Sequence, residues 1–220
     1  MEIRELGRVE YREALALQER LRSERQAGTI GDVLLLLEHD PVYTRGRRTD
    51  PREMPIAGSI PVVDVDRGGK LTYHGPGQLV GYPIMAVEDV VAFVRAMERV
   101  IVQALAGEGI EARTRADEGP DYTGVWVEDR KIASIGIHVQ RGVTTHGFAV
   151  NVDGDLSPWQ WIVPCGLPDV RMTSVALEKG RAADMDCFRK RMAWRFSQAF
   201  DRRQRLVSRA RLDRSLLSVA

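Results

Sequence analysis

The chain predicts an α+β fold, a mostly antiparallel sheet flanked by helices, on three observations. Tyr11 to Gln26 and Val90 to Leu105 carry apolar residues at helical spacing. Gly124 to Val127, Lys131 to Gln140 and Thr145 to Val152 are successive strand-like runs joined by Glu128-Asp129-Arg130 and Arg141-Gly142-Val143, and so read as antiparallel hairpins. Strands and helices do not alternate regularly, which excludes a doubly wound architecture.

Taken in order, the first helix ends near Gly28, where glycine can leave the helical conformation. Val33 to Glu38 is a buried strand stopped by the turn signal Asp40-Pro41, and a loop rich in Arg, Gly and Pro follows. Ile60 to Asp64 and Gln78 to Ile84 are further strands. The second helix places Val90, Phe93, Val94, Met97, Val100, Ile101 and Leu105 on one side. Phe188, Met192, Phe196 and Phe200 recur at helical spacing in a strongly basic stretch, Arg189 to Arg214. With 220 residues, 44% of them hydrophobic, the chain has apolar material for one core. The expectation is a single domain, 1–220, with a basic C-terminal helical segment at about 188–214.

Met1 to Glu10 is charged where a signal peptide needs an apolar run, and Val33 to Leu37 is too short to span a bilayer. A cytoplasmic protein with no membrane partner is expected. The net charge of +1, without aromatic and basic residues interleaved, argues against nucleic acid. The basic stretch reads as the solvated face of a helix, with an acidic protein partner as the alternative. Cys165 and Cys187 form no CxxC pair, so neither a disulfide framework nor a thiol-rich zinc site is indicated. His74, His138 and His146 with Cys165 lack metal-motif spacing, and no metal or cofactor is expected. Nothing suggests a coiled coil, which leaves a monomer as the default.

Three segments point to chemistry. Arg67 to Gln78 holds four glycines and a proline between two strands, with Arg67, Lys70 and His74 beside them. Glycine lets a ligand approach the backbone closely, although a tight turn uses it too. The spacing is neither a Walker A loop nor GxGxxG. In Lys131 to Gln140, Ala133, Ile135, Ile137 and Val139 share one face with Lys131, and Ser134, Gly136 and His138 share the other. A lysine on the apolar face either snorkels at the strand end or is desolvated enough to act as a base. In the next strand Gly147 and Ala149 oppose the side of Phe148 and Val150, so two small-residue faces leave room for a slender ligand or for a packed element. Finally, Pro164-Cys165-Gly166 mounts a cysteine between a rigid and a flexible residue after an apolar run. Most lone cysteines are small buried hydrophobes; a nucleophilic one needs a cation or base beside it, and Lys131, His74, His138 and His146 are the candidates. Cys187, beside Phe188, reads as structural.

At these residues the chain resembles the octanoyltransferases of lipoate biosynthesis, within the biotin and lipoate ligase superfamily. The likeness includes Pro41-Val42-Tyr43-Thr44, the Arg67 to Gln78 loop, Gly124-Val125-Trp126-Val127, Lys131 to Gly136, His146 to Asn151 and Pro164-Cys165-Gly166. Each segment is weak alone; the combination in this order is specific. The resemblance implies a biotin/lipoate ligase-like catalytic fold, the acyl-thioester nucleophile at Cys165 and its activating lysine at Lys131. It implies substrate binding by Arg67, Gly68, Gly69, Lys70, Leu71, Thr72, Tyr73 and His74, by Ser134, Ile135 and Gly136, and by Gly147, Phe148 and Ala149. It further implies octanoyl-acyl carrier protein as donor, and lipoyl domains of 2-oxoacid dehydrogenase complexes and the glycine cleavage H protein as acceptors. The rival readings are an ATP-dependent lipoate or biotin ligase, disfavoured by Cys165, and a non-catalytic binder of acylated protein.

Overall fold

The computed structural model describes residues 1–55, 58–163, 170–201 and 204–207. Its main sheet runs in the order β10-β8-β9-β6-β2-β1-β11, with β7 on the other edge of β8. These strands are β1 (Glu2–Val9), β2 (Val33–His39), β6 (Gln78–Ile84), β7 (Gly124–Val127), β8 (Arg130–Gln140), β9 (Val143–Asn151), β10 (Arg171–Met172) and β11 (Arg205–Val207). The pairs β2–β6, β6–β9, β7–β8 and β8–β9 are antiparallel; β1 runs parallel to β2 and β11, and β10 parallel to β8. A small second sheet, β4-β3-β5, is built from β3 (Val42–Arg45), β4 (Val62–Asp64) and β5 (Leu71–His74).

Each face of the main sheet is covered. Helices α2 (Val90–Ala106) and α4 (Met185–Ala199) bury Met97, Ile101, Leu105, Phe188, Met192 and Phe196 against Leu34, Leu36, Leu79, Phe148 and Val150. Helix α1 (Tyr11–Gln26) covers the other face with Ala14 and Leu21 against Leu35, Leu37, Val80 and Ala149. Asp89 and Asp184 cap α2 and α4 by accepting from Ala92 N and Cys187 N, which satisfies backbone donors the helix itself leaves open. Helix α3 (Val175–Lys179) is a short turn ending at Gly180. No described helix is long and apolar enough to cross a membrane.

Four features depart from the sequence expectation. Strand β1 occupies the charged N-terminal stretch: Ile3 enters the α2/α4 core, and a bulge between Glu5 and Gly7 brings both Leu6 and Val9 to the α1 core, so its apolar residues do not alternate throughout. The loop after Asp40-Pro41 contains β3, and the glycine-rich segment contains β5, whose four residues are all buried and so show no period either. The basic helix does not run to 214. It ends at Ala199, the Phe200 ring packs at a tilt against Phe93 and Phe196, Asp201 turns the chain at φ 48°, and β11 pairs with β1. Cys187 is exposed rather than packed in a core.

Candidate active site

The glycine-rich segment is docked as a rigid ledge across the pocket face of β8. Gly68 N donates to Ile137 O at 2.9 Å, and a Cβ at Gly136 would come within 2.9 Å of Gly68 O, so a glycine there is what permits the approach. The two cations of the segment are used within the protein. Arg67, buried, donates to Thr44 O and Oγ1 and to Gly68 O, and Lys70 pairs with Glu53 at 2.7 Å. Gly46 lets the preceding loop close on this ledge, since a Cβ there would sit 2.5 Å from Gly69 O.

Under the ledge lies a pocket with about 490 Å³ of empty space including its mouth. The ledge and β5 contribute Arg67, Gly69, Lys70, Leu71, Thr72 and His74; β8 contributes Ser134, Ile135 and Gly136; β9 contributes Gly147, Phe148 and Ala149. Of the expected binding residues, Gly68 and Tyr73 are not on its wall. Gly68 borders a second, more open groove with about 920 Å³ of empty space counted the same way, which shares Gly69, Lys70, Ile135 and Gly136 with the first. Tyr73 points into a cluster with Tyr43 and Trp159. The pocket wall also includes Tyr11, Tyr82 and His146, and neither tyrosine was singled out from the sequence. The signal was available for Tyr82, which alternates with Val80 and Ile84 on the α1 side of β6.

These aromatic residues pack around a buried histidine. His39 Nδ1 donates to Val9 O at 2.8 Å, which leaves Nε2 to accept from the Tyr82 hydroxyl at 2.7 Å, and the Tyr11 ring lies against His39 with centroids 5.0 Å apart. His74 stacks on Tyr11 and its Nδ1 donates to Gln78 Oε1 at 2.7 Å. Burial drives all of them toward their neutral forms: His39 is pushed down to about 4, His74 well below its ordinary value, and Tyr11 up to about 12. His146 sits at φ 58°, an unusual conformation for a residue with a side chain, and donates its N–H to Gln18 Oε1. Its Nε2 faces Asp66 Oδ1 at 2.8 Å, and that hydrogen bond holds Asp66 down to about 2. His138 lies 3.4 Å from the same carboxylate. Thr72 Oγ1, Ser134 Oγ and His146 Nδ1 are buried atoms of pocket residues without hydrogen-bond partners among the described residues, as expected where a ligand or water completes the wall.

Lys131 is reached by a correction to simple alternation. Val125 pairs with Ala133 but Trp126 pairs with Lys131, so β8 has one extra residue at Ile132. Ile132 and Ala133 both enter the α2/α4 core, and Lys131 turns to the opposite face, that of Gly124, Trp126 and Ser134. Its side chain is 1% exposed, its Nζ donates to Thr123 O at 2.9 Å, and it lies 5.1 Å from the Trp126 ring centroid. Lys131 therefore does not share the face of Ala133, Ile135 and Ile137; the bulge aims it toward the side on which Ser134 lines the pocket. Cys165 lies outside the described residues. Among those residues no group of three or more His, Cys, Asp and Glu is arranged to hold a metal ion.

The family model for the lipoyl protein ligase A/B catalytic domain matches residues 10–197. An octanoyltransferase of Mycobacterium tuberculosis (strain ATCC 25177 / H37Ra) is 48% identical over 207 residues, covering 91% of this chain and 87% of the relative. The chain belongs to the octanoyltransferase family. As a member it is an acyltransferase enzyme. The bi-partite lipoate protein ligase of Thermoplasma acidophilum superposes with a TM-score of 0.68 at 17% identity, covering 99% of this chain and 92% of that one. The biotin protein ligase of Aquifex aeolicus gives 0.55 at 12% identity, covering 91% and 69%.

Proposed function

We propose that the chain is a single catalytic domain, acting as a monomer in the cytoplasm without metal or cofactor, that transfers octanoyl from octanoyl-acyl carrier protein to a lysine of lipoyl domains. The observation that carries the reading is the bulge at Ile132, which turns a buried lysine to the pocket face of the sheet in a member of an octanoyltransferase family. The acyl chain lies in the pocket between the ledge and the small residues Gly136, Gly147 and Ala149. The Cys165 thiolate, stabilised by the Lys131 ammonium, attacks the carbonyl of the donor thioester; the carrier's C–S bond breaks, and the carrier leaves as a thiol by taking a proton from Lys131, which becomes the neutral amine. The neutral amine of a lipoyl-domain lysine then attacks the acyl-enzyme, an amide forms, Cys165 leaves, and Lys131 takes up the proton that the amine loses. Acceptors of this kind include lipoyl domains of 2-oxoacid dehydrogenase complexes and the glycine cleavage H protein.

Intact mass after incubation with octanoyl-acyl carrier protein, without acceptor or ATP, tests the covalent step. The expected result is one octanoyl adduct, labile to hydroxylamine and lost in Cys165→Ser. No adduct on a protein that binds the carrier would end the thioester reading.

A further inference from the structure

Among the described residues, the helix layer of α2 and α4 buries the carboxylate of Glu98. Glu98, in the middle of α2, has no exposure to solvent, and a carboxylate so placed is unfavourable unless its oxygens are hydrogen-bonded and its charge is balanced. Oε2 accepts from Arg95 Nη1 at 2.7 Å. Oε1 accepts from the backbone N–H of Gly124 at 3.0 Å. That N–H belongs to the same peptide group as the Thr123 carbonyl, which accepts Lys131 Nζ at 2.9 Å. One planar amide thus holds a buried anion at its N–H end and a buried cation at its C=O end. Each polarises the amide in the sense that strengthens the other bond.

We infer that Glu98 is a positioning residue for Lys131, a buried counter-charge that fixes the ammonium through the Thr123–Gly124 peptide. This rests on the reading of Lys131 as the residue that activates the nucleophile. Gly124 completes the device: its φ is 138°, and a Cβ there would lie 2.7 Å from Lys131 Cε and 2.4 Å from Ala133 O, so the lysine stem occupies the space a side chain would need. Arg95 borders the open groove near Arg48 and Asp121. The Glu98 carboxylate therefore ties that rim, by way of one peptide, to the lysine inside.

Glu98→Gln keeps an oxygen for the Gly124 N–H and removes the charge. A residue that only joins α2 to β7 tolerates this change; a counter-charge does not. Octanoyl transfer by Glu98→Gln is expected to lose about 10-fold in kcat with KM for the octanoyl donor unchanged, within the 2- to 150-fold span of coupled networks. Unfolding midpoints of Glu98→Gln, Lys131→Met and the double variant supply a cycle independent of activity. Each single change should lower the midpoint, and the double variant should lie above the sum, because it removes both buried charges together. Additive midpoints, or an unchanged kcat in Glu98→Gln, would overturn the inference. If Glu98→Gln alone does not fold, recovery in the double variant supports the pairing and failure to recover overturns it. Lys131→Met with full transfer activity would instead remove the catalytic reading of Lys131, while the midpoint cycle still decides the pairing.

Discussion

The two faces of the main sheet are built from the same strands and end in different states. Under α2 and α4 the layer is closed beyond the groove at the start of α2, with Met97, Ile101, Leu105, Met192 and Phe196 fully buried. Under α1 and the small sheet, Gln18, His39, Thr72, His74 and His146 are buried among apolar neighbours, some polar atoms lack described partners, and a pocket remains. Filled apolar layers supply stability; a layer that retains polar groups and space gives some of it up for binding. The bulge at Ile132 moves one lysine from the first kind of surroundings to the second, and Glu98 reaches it from the first.

The largest break in this comparison should come from Lys131→Ala. Removing a group that serves proton transfer typically costs about 10²- to 10⁴-fold, and octanoyl transfer measured at saturating donor should fall by that order. On the closed face, Ile101→Ala should lower unfolding stability by about 2–5 kcal/mol through the cavity it leaves. Denaturant melts would record this, while kcat and KM of the folded enzyme stay as they were. Gly124→Ala should cost about 10²-fold in transfer by displacing the lysine stem, an effect of misplacement rather than of lost chemistry. Replacing Ala149 with Met narrows the pocket wall, and competition between acyl donors should shift preference toward chains shorter than octanoyl.

The smallest effect concerns pH. His39 titrates at about 4 in the folded protein against 6.5 in its ordinary state, because burial disfavours its charged form. Between those values the unfolded chain binds a proton that the folded chain does not, so stability falls as pH drops from about 6.5 to about 4. His74 and His146 act in the same sense. Asp66, held at about 2 by His146, adds a loss only below its ordinary value of 3.8. Melts across this range should show stability declining with acid, and His39→Gln should flatten the slope.

Much of the frame was legible in the sequence because its signals are periodic. Helix α1 was read with its observed bounds and α2 one residue short, and β2, β6, β7, β8 and β9 were located by apolar runs or alternation. What escaped is where the period fails. The bulge in β1 puts Leu6 and Val9, three apart, on one face, and β5 is buried throughout and β3 in all but Arg45. Lys131 was singled out by alternation that the bulge in β8 makes wrong, so the residue was flagged while its face was not. The glycine segment was seen as a ligand loop, but the intramolecular duties of Arg67 and Lys70 depend on Thr44 and Glu53, residues that no local pattern connects to it. Tyr11, Tyr82 and Asp66 reach the site from separate elements for the same reason.

The measurement that tests the account most directly is transfer to a purified lipoyl domain from octanoyl-acyl carrier protein in the absence of ATP, comparing the wild-type chain with Lys131→Met. The account predicts an octanoyl amide and free carrier thiol in equal amounts with the wild type, and loss of both with the variant. Transfer that requires ATP and free octanoate, or that proceeds at full rate in Lys131→Met, would contradict it.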